Sequence, residues 1–394
     1  MIIIIGAGIS GLYLGYLLKS LNKDFIIFEK EDTYGGRVLV KDFEGTMVNL
    51  GAGVGRLKKD IILNRLCKTL KVPVTINESK IGYRLKNNLP IPLTPLISYV
   101  NHLKKEFKEN KDHRNIRSNT TFLEFIEENL KNPEDFIKIS GYTDYINADI
   151  IDTLYHYGFD DNVSGWKSMS IKWQVLLDNL YNTLKSHIHL SEEILKIDKD
   201  KKNIITNKNT YKYDKIVSSI PVNIARNLFP NIEILNQINC QTFSRIYAKI
   251  SKGNDSLKNE IKNMIISNSF LQKIIPINPD KGIYMIGYND NYNANLSFNY
   301  FTKLNEKQVY HILESEILKL FNVKVKIDIA KIAYWEYGTT YYLPLSKDYN
   351  DRDEWLCYAR NPEKDIFFIG EGFSHNQGWV EGSLESVEAI IDYL

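Results

Sequence analysis

Nothing in the sequence is long and apolar enough to cross a bilayer. The longest apolar runs, Ile2 to Ile5 and Ile366 to Ile369, fall far short of the roughly 20 residues a membrane-spanning helix needs, so no membrane partner is expected. Cysteine is scarce. Cys67, Cys240 and Cys357 are the three in 394 residues, far apart and without CxxC or Cys/His spacing, which excludes a disulfide framework or a zinc site and leaves them as small buried apolar residues. His187 and His189 alternate along one strand face with no third ligand beside them, so no metal is expected. Charge of one sign is missing too: 50 Lys and Arg against 48 Asp and Glu give a net charge of +2, and the lysine-rich stretch Lys196 to Lys202 is interleaved with acids, which argues against nucleic acid as a partner. No fixed-period repeat is visible. The first strand starts at residue 2, which leaves no room for a secretory leader ahead of it unless one was removed earlier, and the cytosol is the expected location. What remains is ordinary globular material, 43% hydrophobic and 25% charged, with enough chain for two cores.

Ile2 to Ile5 is a short β-branched run, the form of a central parallel strand covered on both faces. It ends in Gly6-Ala7-Gly8-Ile9-Ser10-Gly11. Beyond that turn, Leu12, Leu14, Tyr16, Leu17, Leu18 and Leu21 mark the apolar side of a helix ending near Asn22, and Phe25 to Phe28 reads as a second strand. In such a βαβ unit Gly6 makes the tight turn, Gly8 admits a pyrophosphate against the backbone, and Gly11 lets helix and strand pack closely. The helix N-terminus then offers free N–H groups to the phosphates. Glu29 closes the second strand, where a carboxylate accepts ribose hydroxyls and repels a 2′-phosphate, arguing against NADP.

The residues that follow select among dinucleotides. Gly35-Gly36-Arg37 comes after a short linker, then Val48-Asn49-Leu50-Gly51-Ala52-Gly53. Later come the strand Ile194 to Ile197, the segment Tyr213 to Pro221, and Ile366-Phe367-Phe368-Ile369-Gly370-Glu371-Gly372 followed by Gly378-Trp379-Val380-Glu381-Gly382-Ser383-Leu384-Glu385-Ser386. Together these resemble the flavin-containing amine oxidase family. The resemblance implies non-covalent FAD as the cofactor, with Gly36 and Arg37 over the pyrophosphate, Gly51, Ala52 and Gly53 near the flavin, and the backbone of Ile194 at the adenine. Glu371, after Gly370, can accept a ribitol hydroxyl, and a helix beginning near Val380 directs its N–H groups and dipole at the isoalloxazine N1 and C2 carbonyl. The implied fold is α/β: a Rossmann-type FAD-binding domain, residues 1–72, 165–238 and 358–394, with a second, mixed-sheet-plus-helices substrate domain inserted in two segments, residues 73–164 and 239–357. Amphipathic stretches at Ile97 to Phe107 and Thr121 to Leu130 read as helices there, and Ser244 to Ile250, Gly282 to Gly287 and Lys324 to Tyr334 as strands.

The activity the resemblance implies is oxidation of a small-molecule amine, with hydride passing from the carbon next to nitrogen to flavin N5 and oxygen as the expected acceptor. Family members flank the amine with two aromatic rings. One of these positions matches Trp379, and matching the terminal Pro344 puts Thr339 at the other and Gly338 where covalently flavinylated members carry cysteine. Tyr337 and Tyr341 are the candidates for the missing ring. Arg245 stands where many members have a lysine that holds a water against the flavin. It cannot release its proton, and its planar fork suits a carboxylate or a fixed water. Lys249 shares that strand face and replaces it only in a different register. Arg56 lies near the arginine with which amino-acid oxidases hold the substrate carboxylate, although a phosphate-facing or surface role fits as well. His375 precedes Trp379 in a loop. Other readings stay open: a dehydrogenase or desaturase of the same fold that passes electrons to an acceptor other than oxygen, for which Arg245 argues; an L-amino-acid oxidase; and a non-catalytic FAD-bound scaffold. The sequence does not fix the oligomeric state.

Overall fold

The computed structural model describes residues 1–84, 120–130, 146–156 and 164–394, with residues 102, 105, 133, 137 and 161 between them. The expected helix at Ile97 to Phe107 lies outside the described residues apart from positions 102 and 105. The N-terminal βαβ unit forms as patterned, with β1 at Ile2–Ile5, α1 at Ile9–Ser20 and β2 at Phe25–Phe28. β1 is the centre of a five-stranded sheet, parallel throughout, that runs Ile366–Phe368, Lys215–Ser218, β1, β2, Ile188–His189. Alternate residues of β1 enter opposite layers. Ile2 and Ile4 join Leu12, Leu14 and Leu18 of α1, while Ile3 and Ile5 join Ile216, Phe229 and Trp355 on the other side. A strand so covered can be continuously apolar, and each such side chain contributes about 1.5–3 kcal/mol of burial free energy.

From β1 the chain builds outward on one side through β2 and Ile188–His189, then crosses back to place Lys215–Ser218 and Ile366–Phe368 on the other side of β1. The turn after β1 therefore lies at a topological switch point, where open α/β sheets bind ligands.

A six-stranded sheet stands against this layer, in the order Lys326–Tyr342, Ile238–Lys252, Ile283–Asp290, Lys273–Asn278, Met264–Ser267, Ile81–Arg84. It is antiparallel except for the parallel pair Met264–Ser267 with Ile81–Arg84. Its two long strands extend well past the expected segments because 15 and 17 residues respectively pair with each other almost throughout. One face of the sheet packs Ile246, Ala248 and Ile250 under Val309, Leu313 and Ile317 of the helix Glu306–Phe321. The other carries Phe243, Arg245 and Tyr247 towards the glycine-rich segment at residues 49–53. The helix at Phe122–Asn129 is shorter than its pattern and is entered through a capping box of Thr121 and Glu124. Among the described residues no helix is long and apolar enough to cross a membrane, and no cluster of His, Cys, Asp and Glu is arranged to hold a metal.

Candidate cofactor and active site

The turn after β1 is held by main-chain constraints. Gly6 has φ +101°, and a methyl built on Gly11 would lie 2.1 Å from the Gly6 carbonyl oxygen. Any side chain at residue 11 would push helix and strand apart. Gly8 differs, since a methyl there meets nothing within 4 Å. It is the N-cap of α1, makes no side-chain cap, and the first turn of the helix has no acid. This end of α1 thus offers uncapped N–H groups to an anion across open space. Gly35 donates its N–H to the Ala7 carbonyl at 2.8 Å, bringing Gly36 over Gly8, where a methyl on Gly36 would sit 3.3 Å from the Gly8 Cα.

Glu29 lies at the end of β2, oriented by the N–H groups of Ala7 at 2.8 Å and Glu31 at 3.1 Å. Nearby, Ile194 is buried and pairs with Thr206 in a three-stranded antiparallel sheet. Beside it a buried carboxylate, Glu192, accepts hydrogen bonds from Thr206 Oγ at 2.7 Å and Tyr211 Oη at 2.9 Å and pairs with His189 at 3.1 Å. These bonds hold its carboxyl below the usual range against the opposing effect of burial. His187 stacks on Phe25, so the two histidines have separate structural partners.

Arg37 Nη1 donates to Glu371 at 2.7 Å and to the Gly338 carbonyl at 2.8 Å, while its Nε and Nη2 make no hydrogen bond among the described residues. Glu371 is buried, and its second oxygen accepts Thr340 Oγ at 2.6 Å and the Gly378 N–H at 2.9 Å. Both Glu371 oxygens are thus engaged with protein donors, and the residue anchors Arg37 and the closing loop. A methyl on Gly338 would lie 2.4 Å from the Phe243 ring, so this position admits no side chain.

Just beyond the last strand, Ile366–Phe368, comes Gly370, which has φ +129° and open space about its α-carbon, and its N–H donates to Ser386 Oγ at 2.8 Å. The helix Val380–Glu388 follows with Trp379 at its N-cap and no side-chain cap, a second uncapped N-terminus. Glu381 in its first turn points away into the protein, accepting the N–H groups of Ile62 and Leu63 at 2.8 Å each and so capping the helix Ile61–Thr69. Burial raises its carboxyl to about 7, with Asp60 and Glu385 adding to the effect and the two N–H donors opposing it.

Arg56 is buried inside this frame. Its Nε and backbone N–H each reach Asp60 at 2.7 Å, its Nη2 reaches Asn376 at 2.6 Å, and Asp161 lies 3.6 Å from Nη1. The guanidinium carbon sits 4.5 Å from the centre of the Trp379 ring, a cation–π contact that fixes one face of the indole. Neither a phosphate nor a surface role fits this setting. His375 pairs with Asp353 at 2.7 Å.

Arg245 arrives from the opposite sheet. It is 4% exposed, directly across from Tyr288 and with the small Ala333 on its other flank. Its guanidinium lies 4.7 Å from the Tyr288 ring centre, donates from Nη1 to the Asn49 carbonyl at 2.8 Å, and sets Nη2 3.2 Å from where a Gly53 methyl would be. Lys249 is further along the strand and pairs with Glu44 at 2.9 Å near the surface, so it does not take Arg245's place.

Thr339 accepts Gln241 Nε2 at 2.7 Å from the neighbouring strand. Tyr337 is half-buried in the register shift between the pairs Gln241–Thr339 and Phe243–Trp335. Tyr341 is buried in a small cluster with Ala148 and Leu343. Ring contacts to Trp379 come instead from Arg56 and, at 6.3 Å, Trp166. Asn49, Trp173, Tyr288 and Trp335 were not apparent from the sequence. Trp173 and Trp335 donate their indole N–H groups to the carbonyls of Gly53 at 3.1 Å and Leu50 at 2.7 Å, supporting the glycine-rich segment from both sides. No short motif marks them, because what defines them is a main-chain carbonyl more than a hundred residues away.

A family model for an NAD(P)-binding Rossmann-like domain matches residues 4–65. No curated protein matches the sequence. Solved structures similar to the chain include putrescine oxidase bound to putrescine, 12% identical with a TM-score of 0.79, and cyclohexylamine oxidase from Brevibacterium oxydans, 14% identical with a TM-score of 0.78. Each likeness covers 100% of this chain and 98% of the other. The chain has the amine oxidase fold. Both the Rossmann-like layer and the mixed sheet facing it belong to that fold, as the resemblance implied.

Proposed function

We infer that the chain is an FAD-dependent oxidoreductase that oxidises a small amine, the FAD held without a covalent bond and the protein acting in the cytosol. The observation that carries this reading is the pair of uncapped helix N-termini, at Gly8 and Trp379, in a chain with the amine oxidase fold from end to end. The open α-carbons of Gly8 and Gly370 fit a ligand that approaches the backbone itself. Gly6, Gly8, Gly11, Gly36 and Arg37 would hold the pyrophosphate, Glu29 the ribose, and Ile194 the adenine. Gly51, Ala52, Gly53 and the helix at Val380 would border the flavin ring, with Glu371 steadying Arg37. The closed space at Gly338 leaves no side chain there for a covalent bond.

Bound FAD supplies a two-electron acceptor: a C–H bond next to nitrogen breaks, hydride leaves, and the amine becomes an imine that water hydrolyses. The protein's share is to orient the amine, exclude water and keep it neutral. Trp379, locked by Arg56, offers one rigid wall. Tyr337 and Thr339 lie on the long strand near the other, and Tyr341 supports that strand from its cluster with Ala148. The guanidinium of Arg245 disfavours a protonated amine beside it.

A second reading, a dehydrogenase that passes electrons to an acceptor other than oxygen, is favoured by Arg245 itself, since a fixed guanidinium on the Asn49 carbonyl offers no proton-exchanging amine. Anaerobic mixing of FAD-loaded protein with a panel of amines and amino acids tests the main reading. Loss of the visible flavin absorbance supports amine oxidation, and an unchanged spectrum across the panel refutes it. Admitting air then separates the acceptors: prompt recovery with peroxide supports oxygen, and persistent bleaching supports the dehydrogenase.

A further inference from the structure

Arg245 and Arg56 are both almost wholly buried, yet only one has its charge answered. Arg56 is 2% exposed and is held by the carboxylate of Asp60 with Asp161 close by. Arg245 is 4% exposed, and among the described residues no carboxylate pairs with it. Its Nη1 donates to a neutral carbonyl, Asn49, and the phenols of Tyr247 and Tyr288 lie beside the cation, but among the described residues its Nε is buried without a partner and no carboxylate reaches Nη2 where it faces Gly53. The rings of Tyr288 at 4.7 Å and Phe243 at 5.9 Å give the cation partial compensation. A buried charge without a counter-ion is costly, and a guanidinium with a free edge is shaped to take a planar anion through two parallel N–H donors.

The rest of its setting is neutral or aromatic. Tyr247 sends its hydroxyl to the same Asn49 carbonyl at 2.5 Å, Trp335 holds the next residue's carbonyl at 2.7 Å, and Trp173 holds that of Gly53. These bonds fix the glycine-rich segment and leave the free edge of Arg245 directed at Gly53, beside the region assigned to the reacting end of the substrate.

We propose that Arg245 is a carboxylate-binding site and that the amine this chain oxidises is an amino acid, its carboxylate held by the free edge of the guanidinium. The proposal rests on the amine-oxidising reading for its chemistry, but the anion site stands on the geometry alone. Arg56 does not provide this site, because its donors are already taken by Asp60 and Asn376. With a carboxylate in place the charge of Arg245 is balanced. With a simple amine or a diamine it is not, and a second ammonium group would be repelled. The same residue thereby selects for the acid and against polyamines.

The test uses FAD-loaded wild-type protein, Arg245→Gln and Arg245→Lys, each first checked for equal FAD content and melting temperature. Three matched pairs that differ only by the α-carboxylate are mixed anaerobically with each protein: L-phenylalanine and phenethylamine, L-leucine and isoamylamine, L-ornithine and putrescine. Separately, benzoate, an unreactive carboxylate, is titrated while the visible flavin spectrum is followed. The expected result is that at least one amino acid bleaches wild type at least tenfold faster than its decarboxylated partner. Arg245→Gln should erase that preference and weaken benzoate at least tenfold, while Arg245→Lys should retain part of both. If the plain amines bleach as fast as the acids and benzoate does not bind, the carboxylate site is wrong and amine oxidation stands. If nothing bleaches but benzoate binds in an Arg245-dependent way, amine oxidation is wrong and the carboxylate site stands. If nothing bleaches and benzoate does not bind, both are overturned.

Discussion

In the proposed nucleotide cradle, the groups that would face the ligand are main-chain N–H donors at the N-termini of α1 and the helix Val380–Glu388, and the glycines there either fit where a side chain would clash, as Gly11 and Gly382 do, or leave the backbone open, as Gly8 and Gly370 do. Across Gly53 the groups are side chains on two long strands: Arg245, Tyr247, Thr339 and Trp335, each aimed by cross-strand partners. The first region is set by main-chain geometry, which cannot be retuned without changing the fold. The second is where identity is chosen residue by residue, so a firmly formed cradle coexists with a reacting face unlike the pattern the resemblance implies. The two buried arginines mark this division. Arg56 is structural cement for the cradle side, and Arg245 is a charge left open on the other.

The largest effect should come from separating those two. Arg56→Met leaves Asp60 buried without its cation, and such a loss costs about 3–5 kcal/mol, whereas Arg245→Met removes an unpaired buried charge and should leave stability equal or higher. Urea unfolding of the two variants measures this directly. A strongly destabilised Arg245→Met would show that its charge is answered in the fold after all.

Next is the pH dependence that Glu381 imposes. Its carboxyl is raised from 4.5 to about 7 in the fold, so the unfolded chain gives up the proton first. The stabilisation is complete below about pH 4.5 and is lost as pH rises through about 7. At 1.36 kcal/mol per unit the loss is at most about 3–4 kcal/mol, and Glu381→Gln should flatten the melting temperature across that window. A wild-type profile already flat there would contradict the assignment.

A smaller change is expected on the cradle side from Glu29→Ala, which removes the acceptor proposed for ribose and should weaken FAD about tenfold, or about 1.4 kcal/mol. The smallest is Lys249→Ala. Its pair with Glu44 is exposed, and the rate of flavin bleaching should not change. A slowed rate would return the lysine to the reacting face.

The cradle was legible in the sequence because its constraints are local. Gly6 and Gly11 are required by a turn of six residues, while Gly8 between them leaves open space rather than relieving a clash, and Gly370 and Gly382 are required by one loop, where a methyl on Gly382 would lie 2.3 Å from the Asn376 carbonyl. The reacting face was only partly legible because its geometry depends on strand register. The shift between Gln241 and Phe243 sets Thr339 against Gln241 and Trp335 against Phe243, and no alternation of residues within Trp335 to Tyr342 announces it. Tyr288 faces Arg245 only through pairing across 43 positions. Asp60, which fixes Arg56, stands four residues on but outside any helix, so no helical periodicity marks the pair, and Asn376 reaches Arg56 from the far end of the chain.

The most direct test of the central claim is a titration of apo protein with FAD, and in parallel with NAD and NADP, followed by tryptophan fluorescence. Expected are saturable binding of one FAD per chain, no comparable binding of either nicotinamide dinucleotide, and a Gly8→Val variant that keeps its melting temperature while losing about a hundredfold in FAD affinity, or about 2.7 kcal/mol. Saturable binding of NAD or NADP with none of FAD would contradict that claim.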